Sequence, residues 1–338
     1  MSLISSARYI QAFRPQRLCR SHGHRSGPAF LSLIALVCLP ATFCLAQSQP
    51  RQTLIHERTS RYYTIRVVEY PDQGRRVMQF SRARGIETSM LLADPDALDM
   101  AYCRTMVAAL ALPADCKEVL LIGLGGASLP KFIQKQFPDL RLDIVELDPD
   151  VVKVAEQYFN FKGSPNTRVF VLDGRLFLKR TQKKYDVILL DAYAGDRVPF
   201  HMTTLEFVRL VRSHLTPGGV VATNLWDPAR TRFLEAEKRT CQMSFPQTYL
   251  FDAAHSGNIV IFGASGDEVT WGNAWMDRAQ KLARGRNLGF DLTDLVRNEY
   301  ERLTPLRIEQ APLTDDMAPV DTLRREDPRH FEEGQPAQ

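Results

Sequence analysis

The stretch that most constrains this chain is Val119 to Asp148, VLLIGLGGASLPKFIQKQFPDLRLDIVELD. Its apolar run Val119-Leu120-Leu121-Ile122 reads as a buried parallel strand. Gly123, Gly125 and Gly126 follow, then an amphipathic pattern over Ser128 to Gln136. A second apolar strand, Leu140 to Val145, closes on Glu146 and Asp148. Strand, glycine turn, helix, strand, acid is how a doubly wound sheet builds a nucleoside pocket. The glycines let the backbone approach the ligand, and the acid accepts hydrogen bonds from ribose hydroxyls. Ser128 stands where the third glycine of G-x-G-x-x-G would be. That full fingerprint serves a pyrophosphate, which a ligand held by its nucleoside alone does not carry.

Beyond Asp148 the alternation continues. A helix is expected over Pro149 to Phe159, a strand over Arg168 to Leu172 ending in Asp173-Gly174, and a strand over Tyr185 to Leu190 ending in Asp191. Thr203 to Leu215 reads as a helix, Val220 to Asn224 as a fifth strand, and Ala229 to Thr240 as a helix. Gln247 to Phe251 and Asn258 to Phe262 form a closing antiparallel pair. Ligands of an open α/β sheet bind beyond the carboxyl ends of its strands. Four consecutive strands here end in a glycine turn, Glu146, Asp173 and Asp191, so the chemistry is expected at that edge. Asp148 and Asp173 each precede a helix pattern, where an aspartate also serves as an N-cap. Glu146 closes an apolar run in which a carboxylate has no evident structural use, which points to ribose. Asp191 opens DAYAGDRVPF, a loop rich in Gly, Pro and charge, as either a turn residue or a functional one.

Upstream, the second half of Leu54 to Tyr70 alternates and Arg76 to Phe80 pairs back on it, giving a small β-hairpin domain over residues 50–92. Asp96 to Leu112 reads as a helix beside the glycine turn. Residues 93–323 then form the Rossmann-like domain and 324–338 a charged, disordered tail. Residues 1–46 are kept out of the fold: a basic segment leads into Phe30 to Ala46, too short and too interrupted by Pro40 for a comfortable spanning helix. A signal peptide cleaved after Ala46 is expected, hence export, periplasmic or secreted. An uncleaved membrane anchor, or a mis-assigned start with a cytoplasmic protein, are the alternatives.

With 338 residues the chain has room for both domains, and 44% apolar and 24% charged residues are ordinary for a globular protein. The net charge of +4 is modest and partly carried by the leader, and no basic stripe interleaves with aromatics. Nucleic acid is therefore not expected as a partner. Three of the six cysteines lie in the leader. Cys103, Cys116 and Cys241 show neither a disulfide framework nor metal-ligand spacing, so no metal is expected.

At these residues the chain resembles the spermidine synthase (polyamine aminopropyltransferase) family, in its bacterial spermidine-synthase-like branch. VLLIGLGGAS is similar to that family's glycine-rich turn, IVELDPDVVKVAEQYF to its ribose segment, and RVFVLDGRLFL to its adenine segment. YDVILLDAYAGDRVPFHMTTLEFVRLVRSHLTPGGVVATNL is similar to its catalytic strand and gate loop. Glu57, Ser60, Tyr62 and the closing LTDDMAPVDTL also fit. The resemblance implies an α/β fold: a doubly wound, mostly parallel seven-stranded sheet of the class I S-adenosylmethionine-methyltransferase type behind the small β domain. It implies transfer of an aminopropyl group from decarboxylated S-adenosylmethionine to an amine, with Asp191 and Asp196 catalytic. Gly123, Gly125, Gly126, Glu146, Asp148, Asp173 and Gly174 would hold the nucleoside, and Glu87, Tyr102, Arg104 and Tyr193 the acceptor. A homodimer through the small domain, as in the family, is also implied.

Departures from the family pattern keep other readings open. Ala194 replaces the second loop aspartate, with Asp196 as its substitute. The Y-H-E motif appears as Tyr102-Cys103-Arg104, so an acid becomes a cation that would receive a carboxylate, from intact S-adenosylmethionine or from an acidic acceptor. The alternatives are a methyltransferase using S-adenosylmethionine in the same pocket, or an exported binding protein without turnover.

Overall fold

The computed structural model describes residues 51–80, 85–193, 198–227, 229–245, 247–253, 256–266, 273–298, 300–303 and 311–317. The leader over 1–46, the tail over 324–338 and Asp196 lie outside the described residues.

The expected N-terminal hairpin is a four-stranded antiparallel sheet. Its strands are β1 (Thr53–Thr59), β2 (Thr64–Tyr70), β3 (Arg75–Phe80) and β4 (Thr88–Leu91), in that spatial order. The alternating second half of Leu54 to Tyr70 is β2, and the first half, not read as a strand, is β1; between them Ser60 N–H turns back to the carbonyl of Tyr63 (2.8 Å). The strand β4 is too short to announce itself and is fixed by its register on β3, Met78 opposite Thr88.

The second sheet is built from α1 (Ala101–Ala108), β5 (Glu118–Ile122), α2 (Ser128–Gln136), β6 (Arg141–Glu146), α3 (Pro149–Tyr158), β7 (Thr167–Val171), α4 (Gly174–Arg180), β8 (Tyr185–Leu190), α5 (Leu205–Ser213), β9 (Leu215–Trp226), α6 (Arg232–Ser244), β10 (Gln247–Ala253) and β11 (Asn258–Ala264). Then come α7 (Asn273–Ala283), α8 (Leu292–Asn298) and β12 (Tyr300–Arg302). The spatial order is β12-β10-β11-β9-β8-β5-β6-β7. The strands from β9 to β7 run parallel, and β11 enters antiparallel between β9 and β10. Seven strands match the expected sheet, and the short β12 adds an eighth at the β10 edge. That closing segment, with α7 and α8, had no counterpart in the sequence reading.

The central strands are buried on both faces, which is why they read as continuous apolar runs rather than alternating ones. Val119 and Leu121 face a layer formed with α1, α2, α7 and α8, while Leu120 and Ile122 face α4, α5 and α6. The small sheet buries Ile65, Val67, Met78, Phe80 and Met90 against Val151, Val154 and Phe159 of the α3 region. Among the described residues no helix is long and apolar enough to cross a membrane.

The helix α1 starts at Ala101, not at Asp96. Residues before it are held as a loop by tertiary contacts: Lys131 Nζ donates to the Pro95 carbonyl (2.6 Å), and Ser89 Oγ donates to Asp99 Oδ2 (2.5 Å). A local pattern cannot register bonds from residues so distant in sequence.

Candidate active site

Backbone hydrogen bonds bring the strand tips together. Gly123 N–H donates to the Val145 carbonyl (2.8 Å), Leu172 N–H to Glu146 (2.9 Å), and Asp191 N–H to Ile122 (2.9 Å). Neighbouring tips therefore meet in the order Asp191, Gly123, Glu146, Leu172. Position 123 admits no side chain: at φ +102° a Cβ would sit 2.1 Å from the Asp191 carbonyl oxygen. The turn then passes through positive φ again at Gly125 and Ala127 before α2 begins. Beyond these tips lies a cavity of about 970 Å³.

Gly123, Gly125, Glu146, Asp173, Gly174, Asp191, Glu87, Tyr102 and Tyr193 all line this cavity. Three residues expected in the site do not. Gly126 is a packing position, where a Cβ would meet Thr88 and the Phe159 ring within 3 Å, and its N–H donates to Thr88 Oγ1 (2.8 Å). Asp148 is the N-cap of α3, accepting from Asp150 N–H (2.9 Å) and from the Ser60 hydroxyl. Arg104 turns its guanidinium to the carbonyls of Leu98 (2.9 Å) and Asp99 (3.4 Å), so it offers no carboxylate receptor in the cavity. Tyr62 is exposed, and its neighbour Tyr63 lines the cavity instead, stacked on Phe80. Glu57 pairs with Arg66 on the small sheet.

Glu146 proves to have a structural use after all. Its Oε2 accepts from Leu124 N–H and its Oε1 from Asp148 N–H, both at 2.9 Å, so one carboxylate ties the glycine turn to the start of α3. Burial raises its pKa, and the two backbone donors oppose that rise. Asp173 is both a cap and a cavity residue: Oδ1 accepts from Leu176 N–H (2.8 Å), while Oδ2 faces His201 Nε2 (2.9 Å).

Asp191 sits at the centre of a polar chain. Oδ2 accepts from the Tyr102 hydroxyl (3.2 Å) and Oδ1 from Asn224 Nδ2 (2.8 Å). Asn224 is fixed in that orientation because its Oδ1 accepts from Asn258 Nδ2 (3.0 Å). Burial raises the Asp191 pKa, against the pull of both donors. Burial next to Asp191 likewise holds the Tyr102 phenol well above its ordinary value. Tyr193 extends over the same corner and donates to the Asn224 carbonyl (3.0 Å). The wall beside α1 carries Glu87, Asp99 and Arg75, the last two paired at 3.4 Å.

Several lining residues escaped the sequence reading. Asn224 carried a usable signal, a polar residue closing an apolar strand, which is the rule that found Asp191. Asn258, at the start of a strand, and His201, in a loop, carried none.

A doubly wound sheet of this strand order, with acids at the tips of its parallel strands and a small antiparallel sheet over the glycine turn, defines an α/β protein of the methyltransferase-like fold class. Residues 101–254 match the model of the spermine/spermidine synthase domain. The polyamine aminopropyltransferase of Vibrio vulnificus is 36% identical over 237 residues, covering 68% of this chain and 77% of that protein. The probable polyamine aminopropyl transferase of Bifidobacterium longum is 27% identical over 308 residues, covering 86% and 68% respectively. In three dimensions, spermidine synthase solved in complex with the transition-state analogue AdoDATO overlays with a TM-score of 0.61 at 19% identity, over 72% of this chain and 83% of that one. The chain belongs to the spermine/spermidine synthase family, and with it to the transferases.

Proposed function

We propose that this protein moves an aminopropyl group from decarboxylated S-adenosylmethionine to a small amine acceptor. The observation that carries the reading is Asp191: a carboxyl at a central strand tip, made more basic by burial and held by Tyr102 and Asn224, on the cavity that Gly123, Glu146 and Asp173 share. In such a reaction the amine nitrogen attacks the methylene bound to the sulfonium. A C–N bond forms, the C–S electron pair returns to sulfur, and methylthioadenosine leaves neutral. A protonated amine has no lone pair, so a base must hold it and take a proton. A carboxylate with a raised pKa does this better than a solvated one, and much of the remaining rate comes from positioning.

Glu146 is assigned the ribose hydroxyls, since its carboxylate lines the cavity and has lone pairs beyond those that take the backbone N–H groups of Leu124, Asp148 and Leu147. Asp173 and Gly174, which line the same cavity, are assigned the nucleobase, and Glu87, Tyr102 and Tyr193 the acceptor. The names of the sequence relatives support the aminopropyl donor. Export by residues 1–46 belongs to the same proposal and rests on sequence alone.

The test is calorimetric titration of the full chain with methylthioadenosine, S-adenosylmethionine and its decarboxylated form, followed by turnover with a panel of amines. The proposal expects tightest binding of the decarboxylated donor and release of methylthioadenosine. Preference for intact S-adenosylmethionine with methyl transfer, or no binding at all, would overturn it.

A further inference from the structure

The nucleobase end of the cavity is finished by a residue with no role so far. His201 lies on the single helical turn Phe200–Met202, after the loop that Asp191 opens, and lines the cavity. Its Nε2 is 2.9 Å from Asp173 Oδ2. An ionised carboxylate only accepts, so in the neutral imidazole Nε2 carries the hydrogen and Nδ1 keeps a lone pair. Among the described residues Nδ1 has no hydrogen-bond partner.

The turn is braced from behind. Arg175 donates to the His201 carbonyl (2.9 Å) and forks onto Asp315 (2.7 and 2.5 Å), which also accepts from Thr204 Oγ1 (2.7 Å). Asp173 is equally fixed, because its other oxygen caps α4. Leu147, Leu172 and Met202 give this end of the cavity apolar walls suited to a planar base. The imidazole is thus held between Asp173 and the braced turn, on the wall of the cavity that Leu172 and Met202 share.

We propose that His201 is a specificity-determining residue, whose Nδ1 accepts a hydrogen bond from the 6-amino group of a purine ligand, with Asp173 as the positioning residue that fixes its tautomer. The inference rests on the adenosyl reading above. A 6-oxo purine would set lone pair against lone pair at this point, and a site built to receive a donor rejects a ligand that lacks one.

The full chain would be titrated with 5′-methylthioadenosine and 5′-methylthioinosine. Wild type should prefer the 6-amino nucleoside by about tenfold, the worth of one well-placed hydrogen bond. His201→Ala should bring that ratio close to one, by weakening the 6-amino nucleoside and, with the opposed lone pair gone, by not weakening the 6-oxo one. His201→Gln, which restores a side-chain acceptor, should recover part of the ratio. A ratio unchanged in His201→Ala, or both affinities falling together as for a merely structural residue, would overturn the inference and leave the adenosyl reading standing. Wild type binding neither nucleoside would remove both.

Discussion

One carboxyl group, Asp191, meets two opposed demands. Burial favours its protonated form, while Tyr102 and Asn224 donate to its charged form, and burial prevails. Its folded pKa is therefore raised above the unfolded value of about 3.9. An acid raised in this way contributes its stability below the unfolded value and loses it as pH climbs through the folded one. Asp191→Asn keeps both contacts available, because the amide oxygen accepts from Asn224 and the amide nitrogen donates to the Tyr102 oxygen. The variant should lose turnover by roughly 10²–10⁴-fold, the usual worth of a positioned base. Its stability relative to wild type should be better at pH 7 than at pH 4, near the unfolded value of about 3.9, because the removed charge is the costly state. Urea denaturation at both pH values, beside turnover, checks the pair of expectations. A stability difference flat across that window would mean that burial does not govern this group.

At the scale of elements, what could be read in advance follows from what is local. Strands β5, β6 and β8 and the glycine turn were legible because apolar runs and polar ends are written in consecutive residues. The start of α1 was not, since Lys131 decides it through the fold, nor was the direction of Arg104, which turns back to the carbonyls of Leu98 and Asp99 in the loop that leads into α1. Nor could Glu146 be seen as a brace for the turn, because its donors are backbone groups. The segment 311–317 shows the same dependence on distant partners. Leu313 is buried, its N–H donates to Thr240 Oγ1 (3.0 Å), and Asp315 grips Arg175. The Arg175 hydrogen bonds, with help from Thr204 and against desolvation, lower the Asp315 pKa to about 2. A depressed acid stabilises above its unfolded pKa of about 3.9 and loses that contribution as pH falls toward the folded value. With the Asp315 side chain 43% exposed, solvent screening reduces the worth of the pair to about 1 kcal/mol. Asp315→Asn should cost about that at neutral pH, and the gap to wild type should close between about pH 4 and pH 2. A gap constant down that range in denaturant titrations would show that the strap is held by packing at Leu313 alone.

For the whole molecule the question is whether the four-stranded sheet stands or falls with the eight-stranded one, since Tyr63, Glu87 and Thr88 place it in the wall of the cavity. The contacts between them are of every kind. Met78 and Ile65, both fully buried, share a core with Val151, Val154 and Phe159. Arg76 donates to the Tyr158 carbonyl (2.5 Å), Arg58 pairs with Asp150 (2.7 Å), and Gly126 donates to Thr88. A core shared in this way predicts one cooperative transition. Met78→Ala should cost about 3 kcal/mol through the lost burial and the cavity left behind. The three tryptophans, Trp226, Trp271 and Trp275, all belong to the later part of the chain, so their fluorescence does not report the small sheet directly. In Met78→Ala the fluorescence midpoint should nevertheless fall together with that of far-ultraviolet circular dichroism, by the full amount. If circular dichroism instead showed an early loss that the tryptophans ignored, the small sheet would melt by itself. The wall of the cavity would then open independently of the sheet whose strand tips form its floor.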